Sequence, residues 1–196
     1  MGKKIDNRKD ILLLLLYSPG RGDRPNEPIV GRTRLVKMLF LFKEEAMPYF
    51  RQETEIRDED FYQFFPWDFG PFSCDVYDDI TFLTLRGFIR ADEEANEETL
   101  PESAAEWDAW LSSSGSDSSN GPISEYKEES FSLTDKGATF AAALCEELAA
   151  PQRKLLRDFK KRTSAVPLRA LLQYVYKNYE AMTGRSTIKE RILGTG

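Results

Sequence analysis

Histidine is absent from this chain, and cysteine occurs only at positions 74 and 145. Without histidine there is no Ser-His or Cys-His dyad, no histidine-bound zinc or haem, and no imidazole base near neutral pH. Two widely spaced thiols make neither a metal cage nor the disulfide framework of a small secreted domain. Cys74 and Cys145 are therefore expected to be free, small core residues in a reducing cytoplasm. Long apolar runs are missing too. The longest, 11–17, has seven residues, far short of the roughly 20 that span a bilayer, and no small-residue cleavage site follows it. Glycine-rich phosphate loops of Walker or dinucleotide type do not occur. The expectation is a soluble cytoplasmic protein with no cofactor, no metal and no membrane segment.

What the chain does have is charge, and it is segregated. Of 196 residues, 27 are Lys or Arg and 33 Asp or Glu, for a net −6. That balance argues against a generically basic nucleic-acid binder. Residues 91–130 hold twelve acids against the single base Lys127. Residues 151–196 hold eleven bases against three acids. Within the acidic stretch, 112–121 reads SSSGSDSSNG, which cannot bury enough apolar surface to offset chain ordering. A mobile insertion over 93–127 is expected, with one short helix at 103–111 where Trp107, Trp110 and Leu111 share a face.

Periodicity and punctuation place the rest. Asp6 is positioned to cap a helix over Arg8–Tyr17, ended by Pro19-Gly20. The turn-rich 18–28 reads as an exposed loop. A second helix over 31–45 carries Leu35, Met38, Leu39 and Phe42 at helical spacing. Residues 61–67 (FYQFFPW) are aromatic and extended. Gly70 permits a tight turn, Pro71 opens the next helix and Ser73 caps it. That third helix buries Val76, Ile80 and Leu83, and Gly87 sits where a left-handed C-terminal cap is wanted. Strands at 88–90 and 130–133 follow, then Thr134-Asp135-Lys136-Gly137 opens a helix with Phe140, Leu144 and Leu148. Pro151 starts a helix striped by Leu155, Leu156 and Phe159. Pro167 starts another, with Leu168, Leu171, Leu172, Val175 and Tyr179 inward. Thr187 and Glu190 have capping-box spacing for a last one.

Helix, glycine, strand, return strand, helix is the order of a winged-helix domain. The predicted fold class is mainly α (α+β). A winged-helix-like domain occupies 1–150, with a small β-wing and the acidic insertion at the wing tip, where loop closure is entropically cheap. A basic helical extension, 151–196, packs on it.

Lys37-Met38-Leu39-Phe40, Phe69-Gly70-Pro71 and Gly87-Phe88-Ile89 follow one pattern, and Leu171-Leu172-Gln173-Tyr174-Val175-Tyr176 continues it. The pattern resembles the SocA-like antitoxin (Panacea) domain and the similar YwgA-type bacterial proteins over roughly 30–90 and 130–180. The resemblance implies a mostly helical winged domain from bacterial antitoxin or phage-defence operons that neutralises or accompanies a partner protein. The long acidic insertion departs from that family.

Candidate sites follow from these features. The third helix bears Asp75, Asp78 and Asp79, with Arg86 only at its end, so carboxylates would face any DNA phosphates; as a protein-docking surface the same acids are suitable. Trp107 and Trp110 are either anchors for a basic partner site or linker residues tucked back on the domain. Arg153, Lys154, Arg157, Lys160, Lys161 and Arg162 form a basic face that suits a nucleic-acid backbone, the chain's own acidic insertion, or solvent alone. Phe69 to Phe72 is expected mainly to plug the core. Asp58-Glu59-Asp60 with Asp68 matches no calcium loop. The leading expectation is a non-enzymatic interaction protein, with a possible homo-oligomer left open. The alternative is a nucleic-acid-binding transcriptional regulator working through the basic helix.

Overall fold

Residues 11–16 are apolar all round, and a helix of that kind belongs inside a protein. In the computed structural model, which describes residues 5–51, 56–95 and 127–194, they form the buried axis α1 (Arg8–Tyr17), each at most 2% exposed. Its cap is Asn7 rather than the expected Asp6: the Asn7 Oδ1 accepts from the backbone N–H of Lys9 at 2.8 Å and of Asp10 at 3.3 Å. The helix takes the residue whose extended backbone aims its side chain at the free N–H groups, and Asp6 lies one step too early.

After the 18–28 loop comes a two-residue strand, β1 (Ile29–Val30), which the sequence did not announce. Helix α2 (Arg32–Leu41) buries Leu35, Met38 and Leu39 as expected, then widens into a π-turn (Phe42–Ala46) before the short α3 (Met47–Phe50). Strands β2 (Phe65–Trp67) and β3 (Gly70–Phe72) form a separate two-stranded hairpin. Pro71 is thus a strand residue and not the first residue of a helix; proline is tolerated there because Pro71 stands opposite Pro66, at a pair that needs no N–H donor across the ribbon.

Helix α4 (Cys74–Leu85) buries Val76, Ile80 and Leu83. Ser73 holds its N-cap position, yet the hydroxyl makes no hydrogen bond and is buried. Cys74 is exposed, contrary to the core position expected of it, while Cys145 is half-buried. The helix ends in a Schellman motif: Gly87, at φ +69°, donates to Thr84 and Phe88 donates to Leu83.

Strands β4 (Ile89–Ala95) and β5 (Lys127–Leu133) pair antiparallel along their whole length, from Ile89 opposite Leu133 to Ala95 opposite Lys127. Both are longer than expected, so residues 93–95 and 127 belong to strands and not to the mobile insertion expected over 93–127, the rest of which lies outside the described residues. β1 adds to the other edge of β5, giving the order β1-β5-β4. The Asn26 side chain extends that edge, donating to the Leu133 carbonyl at 3.1 Å and accepting from its N–H at 2.8 Å.

Helix α5 (Asp135–Glu147) opens on Thr134, whose hydroxyl accepts from Gly137. Gly137 is required for a packing reason. A Cβ at this position would stand 2.0 Å from the Phe88 carbonyl oxygen, so only glycine lets α5 approach the start of β4 this closely. Then come α6 (Ala150–Ala165), α7 (Leu168–Asn178) and α8 (Lys189–Leu193). Leu156 and Phe159 are buried while Leu155 is only partly so, and Tyr179 packs at the core's edge. The Thr187–Glu190 capping box does not form, because the Thr187 hydroxyl turns to the Asp68 carbonyl. One apolar cluster runs from Ile5 to Ile192, so the C-terminal helices share the core of the preceding residues. Mainly helical with a small antiparallel sheet describes the result.

Candidate functional site

Alternation along β2 puts Phe65 and Trp67 on one face of the hairpin, and the register sets Phe72 opposite Phe65. The three rings form a triangle with centroids 5.5 to 6.1 Å apart. Tyr77 of α4 joins at 5.1 Å from Phe72. Two guanidinium groups close the ends of this strip. Arg185 lies 5.0 Å over Trp67, and Arg32 lies 4.9 Å over Tyr77 while its Nε donates to Glu129 of β5 at 2.7 Å. Phe65 remains 38% exposed and Trp67 41%. Arginine on an aromatic face gains cation–π attraction with little loss of hydration.

The hairpin is held from several sides. Gly70, at φ +83°, brings the backbone against the Tyr176 ring; a Cβ here would meet the Tyr176 Cε2 at 3.1 Å. The Asp68 carbonyl accepts from the Ser186 hydroxyl at 2.9 Å and from the Thr187 N–H at 3.0 Å. The Ser186 hydroxyl also shares a 2.6 Å hydrogen bond with that of Tyr176. Beneath the hairpin, the Lys37 ammonium donates to the Pro71 carbonyl at 2.8 Å while only 3% exposed. Desolvation pushes its pKa down to about 7. A lysine there satisfies the carbonyl of a strand that has no third neighbour to do so.

The acids expected to meet a partner are divided by the structure. Asp79 is buried and accepts from the Arg8 Nε at 2.8 Å, with the Lys9 ammonium at 3.2 Å; Asp75 accepts from the other arm of Arg8 at 2.6 Å. These two acids tie α4 to the start of α1 and are not a free docking surface. Asp78 is exposed. Trp107 and Trp110 lie outside the described residues.

The basic face of α6 is likewise altered. Lys160 is fully buried, donating to the carbonyls of Leu16 at 2.7 Å and Glu27 at 2.8 Å, and burial lowers its pKa to about 7. It serves the unsatisfied C-terminal end of α1, so it cannot meet a phosphate. Lys154 and Arg157 pair with Asp158, Lys161 with Asp23, and Arg162 with Glu45. Arg153 donates to the Leu148 carbonyl at 2.7 Å. Glu45, on the π-turn, also accepts from the Tyr179 hydroxyl at 3.2 Å. An open groove of about 540 Å³ lies between the π-turn and α6, and the Arg162–Glu45 and Lys154–Asp158 pairs belong to its walls. In the acidic run at 58–60, Asp58 pairs with Arg51, and Glu59 and Asp60 with Arg57.

Sequence patterning reads Phe69 to Phe72 mainly as a core plug and gives Phe65, Trp67 and Arg185 no role in a site. The alternation Phe65-x-Trp67 followed by a two-residue turn was a usable hairpin signal, whereas nothing local to Arg185 foretells its stacking on Trp67. No family model, curated protein or solved structure matches the chain. Among the described residues no helix is long and apolar enough to cross a membrane.

Proposed function

We propose that the chain is a non-enzymatic protein-interaction module on a winged-helix scaffold, acting in the bacterial cytoplasm by covering a site on a toxin or defence-system protein. The order α1-β1-α2-α4-β4-β5, interrupted between α2 and α4 by α3 and the β2–β3 hairpin, together with the sheet order β1-β5-β4, supports the scaffold: β4–β5 would take the place of the wing and α4 that of the recognition helix. The observation that carries the reading is the half-exposed Phe65–Trp67–Arg185 cluster on a braced hairpin. Tryptophan and arginine dominate interface hot spots, and anchors already immobilised lose little entropy on docking.

The nucleic-acid alternative loses support from the arrangement of α6. With Lys160 inside, Arg153 on a backbone carbonyl and the other α6 cations facing carboxylates, a phosphate contact would first have to break an ion pair or a hydrogen bond. Affinity capture from the native host, with and without nuclease, separates the two readings. A stoichiometric protein that resists nuclease and is retained about tenfold or more weakly by Trp67→Ala is the expected result, within the range of a hot-spot truncation. Nucleic acid in the eluate, with protein partners lost on digestion and a steep fall in binding with salt, overturns the proposal.

A further inference from the structure

The outward face of α4 is unusual for a helix in that position. Val76, Ile80 and Leu83 point into the core, while Cys74, Asp78, Thr81, Phe82 and Leu85 are exposed, Leu85 to 82% and Phe82 to 43%. Two charges on α4 have no opposite partner among the described residues. Asp78 makes no ion pair, and Arg86, just past the last turn, has its guanidinium 5.3 Å over the Phe82 ring. Their spacing is symmetric: Asp78 is four residues before Phe82 and Arg86 four after, so all three lie along one i,i+4 ridge.

We propose that this face docks a second copy of itself, forming an antiparallel α4–α4 dimer with Phe82 beside the two-fold axis. Antiparallel packing about Phe82 brings Asp78 of each copy opposite the Arg86 of the other. Such reciprocal matching is what an isologous interface demands. A parallel arrangement would set Asp78 against its own copy.

The rest of the face does not oppose the contact. Asp75 and Asp79 are already matched by Arg8 and Lys9, and the Lys9 ammonium lies 5.7 Å over the Phe82 ring. Three acids thus meet three bases along α4 and the start of α1, and two copies approach without net repulsion. Leu85 and Phe82 supply the apolar contact. The helix has 12 residues, or about 18 Å of length. One such crossing buries less than the ~1,600 Å² of a standard interface, so the dimer is reversible and concentration-dependent.

Sedimentation velocity on the full chain over a concentration series tests this directly. Wild type is expected to shift from monomer to dimer. Asp78→Arg and Arg86→Asp should each raise the dissociation constant about tenfold or more, since like charges across an interface are strongly disfavoured. The double variant D78R/R86D should restore the dimer. All the changed side chains are exposed, so circular dichroism should report an unaltered fold. Phe82→Cys on a Cys74→Ser/Cys145→Ser background should form an intermolecular disulfide on mild oxidation, because an on-axis pair of Cβ atoms comes within bonding reach. A protein that stays monomeric throughout, a dimer indifferent to both single reversals, or a double variant that remains dissociated overturns the proposal. Trp67→Ala should dimerise like wild type, which keeps this inference independent of the partner reading.

Discussion

Two lysines without carboxylate hydrogen-bond partners set the pH behaviour of this protein. Lys37 and Lys160 donate to backbone carbonyls from inside the fold, and burial lowers both pKa values to about 7. In the unfolded chain each titrates near 10.4. Below pH 7 both states carry the protons and these residues add no pH dependence. Between about pH 7 and 10 the unfolded chain holds more protons than the folded one, so stability rises with pH, by at most about 1.4 kcal/mol per unit for each lysine. Above pH 10 the sign reverses, because Tyr176, pushed up to about 12 by burial, keeps its proton in the fold after the unfolded chain has lost it. Chemical denaturation across this range should show the rise, and K37M/K160M should flatten it whatever its effect on absolute stability. Neither role was visible in the sequence. Lys160 reads locally as one more cation of a basic helix, while its acceptors lie 144 and 133 positions away in the chain.

At the scale of elements, the joint between β4 and α5 is the least forgiving place. Gly137→Ala drives a methyl group into the Phe88 carbonyl oxygen, and the neighbouring Thr134 hydroxyl is already committed to the Gly87 carbonyl at 2.7 Å. We expect a loss of roughly 2–3 kcal/mol, measured as a lower urea midpoint with an unchanged slope. The segment around this joint was readable from sequence because its signals are local: a helical stripe, Gly87 after it, and a capping threonine before Gly137. Elements that depend on distant neighbours were not. β1 exists as a strand because β5 lies beside it, and the hairpin β2–β3 because Tyr176, Ser186 and Thr187 receive it. The π-turn at Phe42–Ala46 leaves no periodic trace that separates it from an α-helix over five residues. Similarly, the acids of α4 were legible as a cluster, but their division into two tied to Arg8 and one left outward depends on where the start of α1 comes to lie beside α4.

For the molecule as a whole, charge segregation along the sequence does not survive as a bare basic surface. The cations of α6 meet Asp158, Asp23 and Glu45 from three separate parts of the chain. On the proposals above, α4 would face its own copy and the aromatic hairpin a partner, so one protomer would present two surfaces and a dimer two hairpins. A bivalent assembly of that kind gains avidity only where its target is itself multimeric or clustered.

The ladder between β4 and β5 has a further consequence. Ala95 and Lys127 are opposed residues of one antiparallel pair, so whatever is spliced between them is joined to the domain at neighbouring points. Replacing 96–126 with an Asn-Gly turn should preserve the melting temperature within a few degrees, as calorimetry can establish. The end of the β4–β5 ladder is therefore a cassette position. An engineer can use that position to display a foreign peptide without altering the core.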